Sequence, residues 1–434
     1  MKPDWWPGEE HEQFTEWAIS QGIIANGVGP ARFPGRGLGM IATRNIEEDE
    51  AIVIVPLKAM LTAERIPSSF TGKFPDGTPT HALYAAFLTN GDLEDLEEFK
   101  AWRKTWPSRQ DFEDSMPMLW SESLRNCLPP SISSHWHSIQ SRDKLQYETS
   151  HQNLLAQQEQ RLRTAWDIVV SVFPDIDWEM FSYHWLIVNT RSFFYLMPGQ
   201  EPPEDRNDAM ALLPFADYFN HSDVACNVKF DGEKYVFRAT KQYDEGEEIY
   251  MSYGPHPNDF LFAEYGFYLD ENESETLYLD DIILKDLGPS LQEELEFQQY
   301  YGYVSKFRCF SLIDHFCLRQ LRQCLTYTRS NYQLTATGVC YRTEIAACIN
   351  YMSLEDWRKY VLGYSTKGAD EKKSEAIIQG WIRAYSNEAD IVITTLEGKG
   401  SSQTDQKDQQ RAMLKKRWTQ IRDLCAKASK AVSG

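Results

Sequence analysis

The sequence lacks the features that mark several large classes of protein. No apolar run approaches the ~20 residues that cross a bilayer, and the first residues contain no apolar core of a secretory signal. The 8 cysteines include no C-x-x-C pair, which gives neither a zinc site nor a dense disulfide framework. No G-x-G-x-x-G motif supports a Rossmann-type nucleotide site. We therefore expect an intracellular protein of the cytoplasm or nucleus, without a membrane partner or a bound metal.

Positive charge is also scarce. The chain has 44 Lys and Arg against 64 Asp and Glu, a net charge of −20 at pH 7. An acidic surface repels nucleic-acid phosphates, so nucleic acid is not expected as a partner. It favours a protein substrate with a basic, lysine-containing segment, although acidity that only keeps the protein soluble explains the charge equally well. We expect a monomer.

The patterns along the chain divide it into four segments. With 434 residues, the chain is long enough for two or three domains. Residues 1–90 combine an amphipathic helix with strand-like runs, and residues 91–184 lose the β-branched alternation and become helical. Residues 185–272 contain mixed signals and most of the motifs described below. Residues 273–434 are helical throughout.

Hydrophobic periodicity predicts the individual elements. Alternating runs predict strands, and an Asp-Gly pair between two of them predicts a hairpin turn at 231–232. An acidic and polar stretch without apolar residues predicts a mobile loop over 397–408. The predicted strands are 39–42, 51–55, 228–230 and 235–237, and the predicted helices are 11–24, 81–88, 143–172, 291–301, 307–325, 343–352, 371–385 and 409–432.

Four short motifs stand out because of their order and separation. An apolar run over 212–219 ends in Asn220-His221-Ser222, and a strand-like stretch about 30 residues later ends in Tyr253-Gly254. Tyr265-Gly266-Phe267 follows, and Gly35-Arg36-Gly37-Leu38-Gly39 precedes the strand at 51–55. An amide and an imidazole at the end of an apolar run are well placed to point into a cavity.

Together these motifs resemble those of the SET-domain protein methyltransferases, in particular the branch typified by the Rubisco large-subunit lysine methyltransferase. The resemblance implies an α+β fold, in which a β-rich SET domain of short sheets and a pseudo-knot is split by a helical insertion over 91–184. It also implies an all-α C-terminal substrate-binding domain over 273–434. The cysteine-rich zinc flanks of many histone-directed SET enzymes are absent, so a ribosomal, translation-related or other intracellular non-histone protein is the expected substrate.

The chemistry of such an enzyme sets what the site must contain. Methyl transfer from the sulfonium of S-adenosylmethionine to an amine is an in-line displacement, which is accelerated by holding the reacting atoms in line. A lysine with a pKa of ~10.4 must first lose its proton, which costs about 4–5 kcal/mol at neutral pH. An aromatic channel that desolvates the ammonium lowers this cost.

The resemblance assigns roles to the motif residues. Tyr253 is expected to be the catalytic residue, to contact the cofactor and to line the substrate channel. Asn220 is expected to hold the amino-acid part of S-adenosylmethionine, and His221 to lie near the adenine. Gly37 and Leu38 are expected to bind the cofactor through the backbone, because glycine permits a close approach.

Four further aromatic or charged residues complete the predicted site. Arg191 is expected to pair with the cofactor carboxylate, and Phe267 to stack near the adenine. Phe193 is expected to line the lysine channel. Tyr250 and Tyr265 are interpreted as core residues. Arg36 also belongs to the predicted cofactor site, but this branch has Glu at that position, so only a backbone contact is expected there.

Three alternatives remain open at this stage. Asp217, His221, Asp223 and Cys226 have a spacing that would suit a cation, although no second cluster accompanies them. A catalytically silent SET scaffold would act as a protein-binding module. Methylation of histidine is the third alternative, and an apolar Phe193 favours lysine over it. No tyrosine in 224–230 provides a second channel hydroxyl, which leaves the number of transferred methyl groups open.

Overall fold

In a computed structural model of the chain, the described residues are 3–34, 36–133, 152–300, 332–398 and 405–433. Packing divides the chain into two units. The first unit comprises Met1–Glu113 and Gln158–His256, and the second comprises Asp114–Gln157 and Pro257–Gly434. The four segments predicted from the sequence stay predictions. The predicted helix over 307–325 and the first part of that over 143–172 lie outside the described residues.

The first unit is built on a seven-stranded sheet with the strand order β1-β4-β8-β7-β9-β3-β2. A separate two-stranded sheet pairs β5 with β6. The predicted α+β class with β-rich SET architecture is confirmed. The strands are β1 Ile24–Ala25, β2 Val28–Phe33, β3 Gly37–Ala42, β4 Ala51–Pro56, β5 Ser192–Phe194, β6 Met210–Leu212, β7 Asn220–Phe230, β8 Lys234–Arg238 and β9 Glu248–Met251.

The hairpin between β7 and β8 has the turn that its sequence predicts. Asp231 Oδ1 accepts the backbone N–H groups of Glu233 and Lys234 at 2.9 and 3.0 Å. Gly232 has φ of 101°, a left-handed conformation that suits glycine. Along β8, Tyr235 and Phe237 are buried while their neighbours face outwards, as period-two alternation requires.

A parallel pairing within the sheet brings distant motifs together. β7 runs parallel to β9, with Asn220 opposite Tyr250 and His221 opposite Met251. The start of β7 and the end of β9 therefore lie side by side, although about 30 residues separate them in sequence. This register carries Tyr253, two residues beyond β9, to the side of His221.

The apolar run over 212–219 is not one continuous strand. β6 ends at Leu212, and Ala216–Tyr218 forms a 3-10 turn. Phe215 has φ of 71°, a conformation that non-glycine residues adopt rarely, so the chain changes direction there. The apolar residues of the run are buried nonetheless, and they anchor the start of β7 in the core.

Most predicted helices agree with the structure to within a few residues at their ends, but the helix predicted over 371–385 continues to Gly398. The helices Asn258–Tyr265, Asp280–Asp286 and Leu354–Val361 were not predicted. Asp177 caps the helix after it by accepting the N–H of Met180 at 2.7 Å. The described helices are Glu9–Ser20, Ser68–Thr71, Thr80–Asn90, Leu93–Glu97, Lys100–Arg103, Arg109–Ser115, Glu122–Arg125, Leu154–Val172, Trp178–Arg191, Asn258–Tyr265, Asp280–Asp286, Pro289–Phe297, Tyr341–Ile349, Leu354–Val361, Glu371–Gly398 and Asp405–Val432.

The second unit is mostly helical, but the prediction that it is all-α is wrong. Three short strands, β10 Leu277–Tyr278, β11 Gln333–Thr335 and β12 Gly338–Val339, form a three-stranded antiparallel sheet. Strands of two or three residues are too short to show alternation. The loop predicted over 397–408 is also shorter than expected, because one helix continues to Gly398 and the next begins at Asp405; residues 399–404 lie outside the described residues.

A buried arginine organises the core of the second unit. Arg417 is 0% exposed, and its guanidinium reaches Asp259 at 2.8 Å and Glu275 at 3.0 Å. Two carboxylates around one guanidinium compensate the loss of water that burial imposes. On the last helix, one stripe of side chains at i, i+4, i+7 and i+11 is buried, formed by Leu414, Trp418, Ile421 and Cys425. Among the described helices, none is long and apolar enough to cross a membrane.

Candidate active site

The Gly-Leu-Gly motif on β3 lies directly against Asn220. Gly37 has φ of 77°, and the Nδ2 of Asn220 donates a hydrogen bond to the carbonyl of Leu38 at 2.9 Å. A Cβ on Gly39 would come within 2.7 Å of Asn220 Nδ2 and 2.6 Å of Glu248 Oε1. No side chain fits there, so the motif supplies a backbone surface against which the amide packs.

Asn220, His221 and Tyr253 are brought together, as predicted from their motifs. The backbone N–H of Tyr253 donates to His221 Nδ1 at 3.0 Å, and the two rings stack with centroids 5.2 Å apart. The phenol of Tyr253 donates to the carbonyl of Phe219 at 2.7 Å. Both ends of the tyrosine are therefore fixed to the segment that carries the Asn-His pair.

These contacts also define the protonation of His221. Burial lowers the pKa of His221 below its usual value, while hydrogen bonding to the Met251 backbone and the charge of Asp223 oppose the shift. The imidazole is therefore neutral at pH 7. Because Nδ1 accepts the N–H of Tyr253, the single proton of the neutral ring is on Nε2.

A buried carboxylate joins the same corner from β9. The side chain of Glu248 is 4% exposed, and it contacts Arg36 Nη2 at 2.8 Å. Glu248 Oε1 also accepts from Asn220 Nδ2 at 2.8 Å, and Oε2 accepts from the phenol of Tyr250 at 2.7 Å. The side chain of Arg36 thus reaches the site, whereas the sequence predicted a backbone contact alone. The interpretation of Tyr250 as a core residue is wrong, since its half-buried phenol belongs to this network.

Arg191 is held by a buried acid just before the Asn-His pair. Its Nη1 lies 3.1 Å from Asp217 Oδ2 and donates to the Asp217 carbonyl at 2.9 Å. Trp102 Nε1 donates to the same carboxylate oxygen at 2.9 Å. Burial raises the pKa of Asp217, and the positive charge of Arg191 acts in the opposite direction. Within the described ranges, the Nε of Arg191 has no hydrogen-bond partner, and a contact with the cofactor carboxylate stays a prediction.

A row of aromatic rings extends from Tyr253 to Phe193. Phe219, whose carbonyl accepts the Tyr253 phenol, stacks on Phe237 with a centroid separation of 5.2 Å. Phe193 packs edge-on against Phe237 at 6.2 Å and against Tyr235 at 6.4 Å. Phe193 therefore belongs to a group of packed rings with Phe219, Tyr235 and Phe237, here called the aromatic wall, in which Phe219 and Phe237 are buried.

Tyr235 is a candidate channel residue that the sequence reasoning missed. Its phenol donates to the carbonyl of Phe194, next to Phe193. The search for a second channel tyrosine covered 224–230 on β7, whereas Tyr235 lies on β8, the strand that pairs with it. The alternation of Lys234 to Arg238 carried the signal, because it assigns Tyr235 to the same inward face as Phe237.

Phe267, the remaining predicted cofactor residue, belongs to the second unit. It follows Gly266, which ends the preceding helix with φ of 78°, and its ring lies 6.2 Å from that of Tyr265. Tyr265 is half-buried, so its interpretation as a core residue holds only in part. The role of Phe267 at the adenine stays a prediction.

The alternative metal site does not assemble. Among the residues that the structure describes, no group of three or more His, Cys, Asp and Glu side chains could hold a metal ion. Asp217 is engaged by Arg191 and Trp102, and His221 Nδ1 by Tyr253. Burial raises the pKa of Cys226 to about 12, which leaves its thiol protonated and a poor ligand.

Comparison with known proteins agrees with this geometry. A profile described as the SET domain matches residues 37–254. SET domain-containing protein 4 of Homo sapiens is 24% identical over 436 residues, covering 95% of this chain and 88% of that protein. Ribosomal lysine N-methyltransferase set11 of Schizosaccharomyces pombe is 36% identical over 141 residues, covering 32% of this chain and 35% of that protein.

A solved structure extends the likeness to the fold. Rubisco LSMT bound to AdoMet superimposes with a TM-score of 0.56 and 14% identity, covering 98% of this chain and 93% of that one. The profile match includes the Gly-Leu-Gly strand, the Asn-His pair and Tyr253, which the parallel pairing of β7 and β9 brings to one site. The chain belongs to the SET-domain family, whose members are S-adenosylmethionine-dependent methyltransferases.

Proposed function

We propose that this protein transfers methyl groups from S-adenosylmethionine to a lysine side chain of a non-histone protein. The observation that carries the proposal is the position of the Tyr253 phenol. It is fixed to the carbonyl of Phe219 at 2.7 Å, where the aromatic wall meets the Asn-His pair. A phenol at that junction can act on a substrate amine and on a cofactor held by the Asn-His segment.

The residues present suit S-adenosylmethionine. The absence of a side chain at Gly39 lets Asn220 and Glu248 approach the backbone of β3, where the carbonyl of Leu38 and the acid of Glu248 are acceptors that suit an ammonium group. Asn220 supplies an amide beside them, and neutral His221 presents an apolar ring edge. The cofactor, when bound, supplies a methyl group on a positively charged sulfur.

The aromatic wall is suited to preparing the amine. Phe193, Phe219 and Phe237 offer no charge and no hydrogen-bond acceptor from their side chains, so an ammonium among them loses water without gaining a counter-ion. That environment lowers the pKa of a lysine amine and raises the share of the neutral nucleophile. The phenol oxygen of Tyr253 then orients the amine for an in-line approach.

The same wall favours lysine over histidine as the methylated side chain. A long unbranched amine passes along a narrow apolar passage with its methylene groups against rings. An imidazole carries two ring nitrogens that need hydrogen-bond partners when they are buried. Phe193, which packs against Tyr235 and Phe237, provides none from its side chain.

The acidic chain supports a basic partner. A net charge of −20 attracts a lysine-rich segment and disfavours nucleic acid. We infer a monomeric enzyme of the cytoplasm or nucleus that acts on a ribosomal, translation-related or other intracellular protein. Relatives whose names record ribosomal lysine methylation support this substrate class.

The test is to find the methylated residue directly. The purified protein is incubated with methyl-labelled S-adenosylmethionine and a lysate from cells that lack the gene. Labelled bands are then analysed by mass spectrometry. We expect label on lysine in a basic segment, and none with Tyr253→Phe at equal protein concentration. Label confined to histidine would refute the lysine assignment. Absence of cofactor binding in a calorimetric titration would instead indicate a silent scaffold.

A further inference from the structure

The outer face of the seven-stranded sheet has a groove that the proposed catalysis does not use. A cavity of about 430 Å³ opens on β4, β7 and β8, and its floor is formed by Ile54 and Val236. These two residues are directly opposite each other in the register of β4 and β8, so their side chains share one face. The buried Tyr235 and Phe237 of β8 point to the other face, towards Phe193.

Three cationic side chains border this apolar floor. Lys229, Lys234 and Arg238 all line the cavity, and all three are exposed. Within the described part of the chain, Lys229 and Lys234 form no salt bridge. Arg238 donates from Nη1 to the Asp49 carbonyl at 2.8 Å, which fixes the guanidinium without neutralising it.

The acid that lines the groove is already engaged. Asp231 Oδ1 accepts two backbone N–H groups in the turn between β7 and β8, at 2.9 and 3.0 Å. The two turn N–H groups are its main partners, and the charge of Lys234 acts on the same carboxylate, so one acid faces three cations in the groove. A positive groove in a chain with a net charge of −20 runs against the overall composition. An acidic surface can be explained by the need to keep the protein soluble, but that need does not explain a local excess of positive charge in this groove.

The cations are spaced as alternate residues of an extended chain. Lys234 and Arg238 lie four residues apart on β8, a separation of about 13 Å at ~3.3 Å per residue. Lys229 is on β7 opposite Val236, which lies midway between them. Positive charge therefore recurs about every 6.6 Å along the strand direction, the distance between side chains i and i+2 of an extended peptide.

We propose that this groove is a docking site for an extended, acidic segment of a partner protein. Carboxylates at positions i, i+2 and i+4 of the segment pair with Lys234, Lys229 and Arg238 in turn. The methylene groups of these acidic side chains lie on Ile54 and Val236. Docking there leaves the aromatic wall free, because that wall packs on the opposite face of β8.

The test uses the full-length protein and a fluorescein-labelled peptide, Ser-Glu-Leu-Glu-Ser-Glu-Ser, followed by fluorescence anisotropy. A charge-matched pair of variants separates the groove from net charge. Lys229→Glu with Lys234→Glu reverses two groove cations, and Lys372→Glu with Lys427→Glu reverses two exposed lysines on helices of the second unit. We expect about fivefold to twentyfold weaker binding in the groove variant, because exposed ion pairs are individually weak. The control variant should bind like the unaltered protein.

Further probes address other ligands. A peptide with Gln in place of Glu should not bind, and inorganic phosphate at the concentration that saturates the peptide should not displace it. Equal loss of affinity in both variants, displacement by phosphate, or tighter binding of a uridine oligonucleotide than of the peptide would each overturn the proposal. Both variants should retain cofactor affinity in calorimetry, so failure of docking is distinguishable from failure of the proposed catalysis.

Discussion

Replacing Tyr253 with Phe removes one oxygen and tests whether the phenol acts on the reaction or only supports the end of a strand. The phenol donates a hydrogen bond to the Phe219 carbonyl at 2.7 Å. The backbone N–H bond to His221 Nδ1 and the stacking of the two rings do not need the oxygen. Loss of one neutral hydrogen bond costs about 0.5–1.5 kcal/mol of stability. Loss of an oriented contact in the transition state costs about 2.7–4 kcal/mol, or roughly 100- to 1000-fold in turnover.

The loss of stability and the loss of turnover differ in size and are measured by separate assays. Turnover is followed as methyl label incorporated into lysate protein at saturating cofactor, and cofactor affinity by isothermal titration calorimetry. Tyr84→Phe is the matched control, since the buried Tyr84 phenol also donates to a backbone carbonyl, that of Met210, at 2.9 Å. We expect both variants to lose similar stability in urea unfolding. The control should stay within about threefold of the unaltered turnover.

The comparison has clear refuting outcomes. If Tyr253→Phe and Tyr84→Phe retain the same turnover, the phenol of Tyr253 has no catalytic role and only closes the site. If Tyr253→Phe retains its turnover at saturating cofactor but binds the cofactor much more weakly, the residue positions the cofactor instead. Only a loss of turnover with unchanged cofactor affinity agrees with the assignment.

Three further perturbations follow from the same contacts. Gly39→Ala places a Cβ 2.6 Å from Glu248 Oε1, and calorimetry should give about tenfold weaker cofactor binding or more. Trp102→Phe removes a hydrogen-bond donor to the buried carboxylate of Asp217, and urea unfolding should show a free energy of unfolding that is lower by about 1–3 kcal/mol. Burial lowers the pKa of His184 to about 3, so the unfolded chain takes up the proton first as pH falls below 6.5. Between pH 7 and pH 5, His184 should therefore lower the free energy of unfolding by about 2 kcal/mol. Urea unfolding at the two pH values should show that His184→Gln abolishes this loss.

The catalytic strands could be predicted because their signals are local. The Asp231-Gly232 turn and the alternation around Tyr235 and Phe237 predict a hairpin from neighbouring residues alone. The structure adds the pairing of β7 with β9, which is parallel and joins residues about 30 apart. No periodicity specifies that pairing, since it depends on which strands of the sheet become neighbours. The proximity of His221 to Tyr253 therefore came from the family resemblance rather than from the residues themselves.

The interpretation of Tyr250 failed because of a contact between side chains far apart in sequence. Tyr250 is an aromatic residue inside a strand-like run, which by itself indicates a core position. Its phenol donates to Glu248 on the same face of β9, and Arg36, in the turn between β2 and β3, contacts both side chains. The three-stranded sheet of β10, β11 and β12 was missed for a different reason, since strands such as Leu277–Tyr278 are too short to show alternation.

The network around Glu248 explains how the site tolerates an unusual residue before the Gly-Leu-Gly motif. The related branch has an acid at the position of Arg36, and a basic residue there reverses the local charge. Glu248 supplies an acid to this corner from β9, and its 4% exposed side chain is compensated by Arg36 on one side and by Asn220 on the other. A buried carboxylate without such partners would be costly. The carboxylate of Glu248 contacts the same amide that meets the Leu38 carbonyl, so two acceptors and one donor lie together at this corner, and the positive charge of Arg36 is balanced within it.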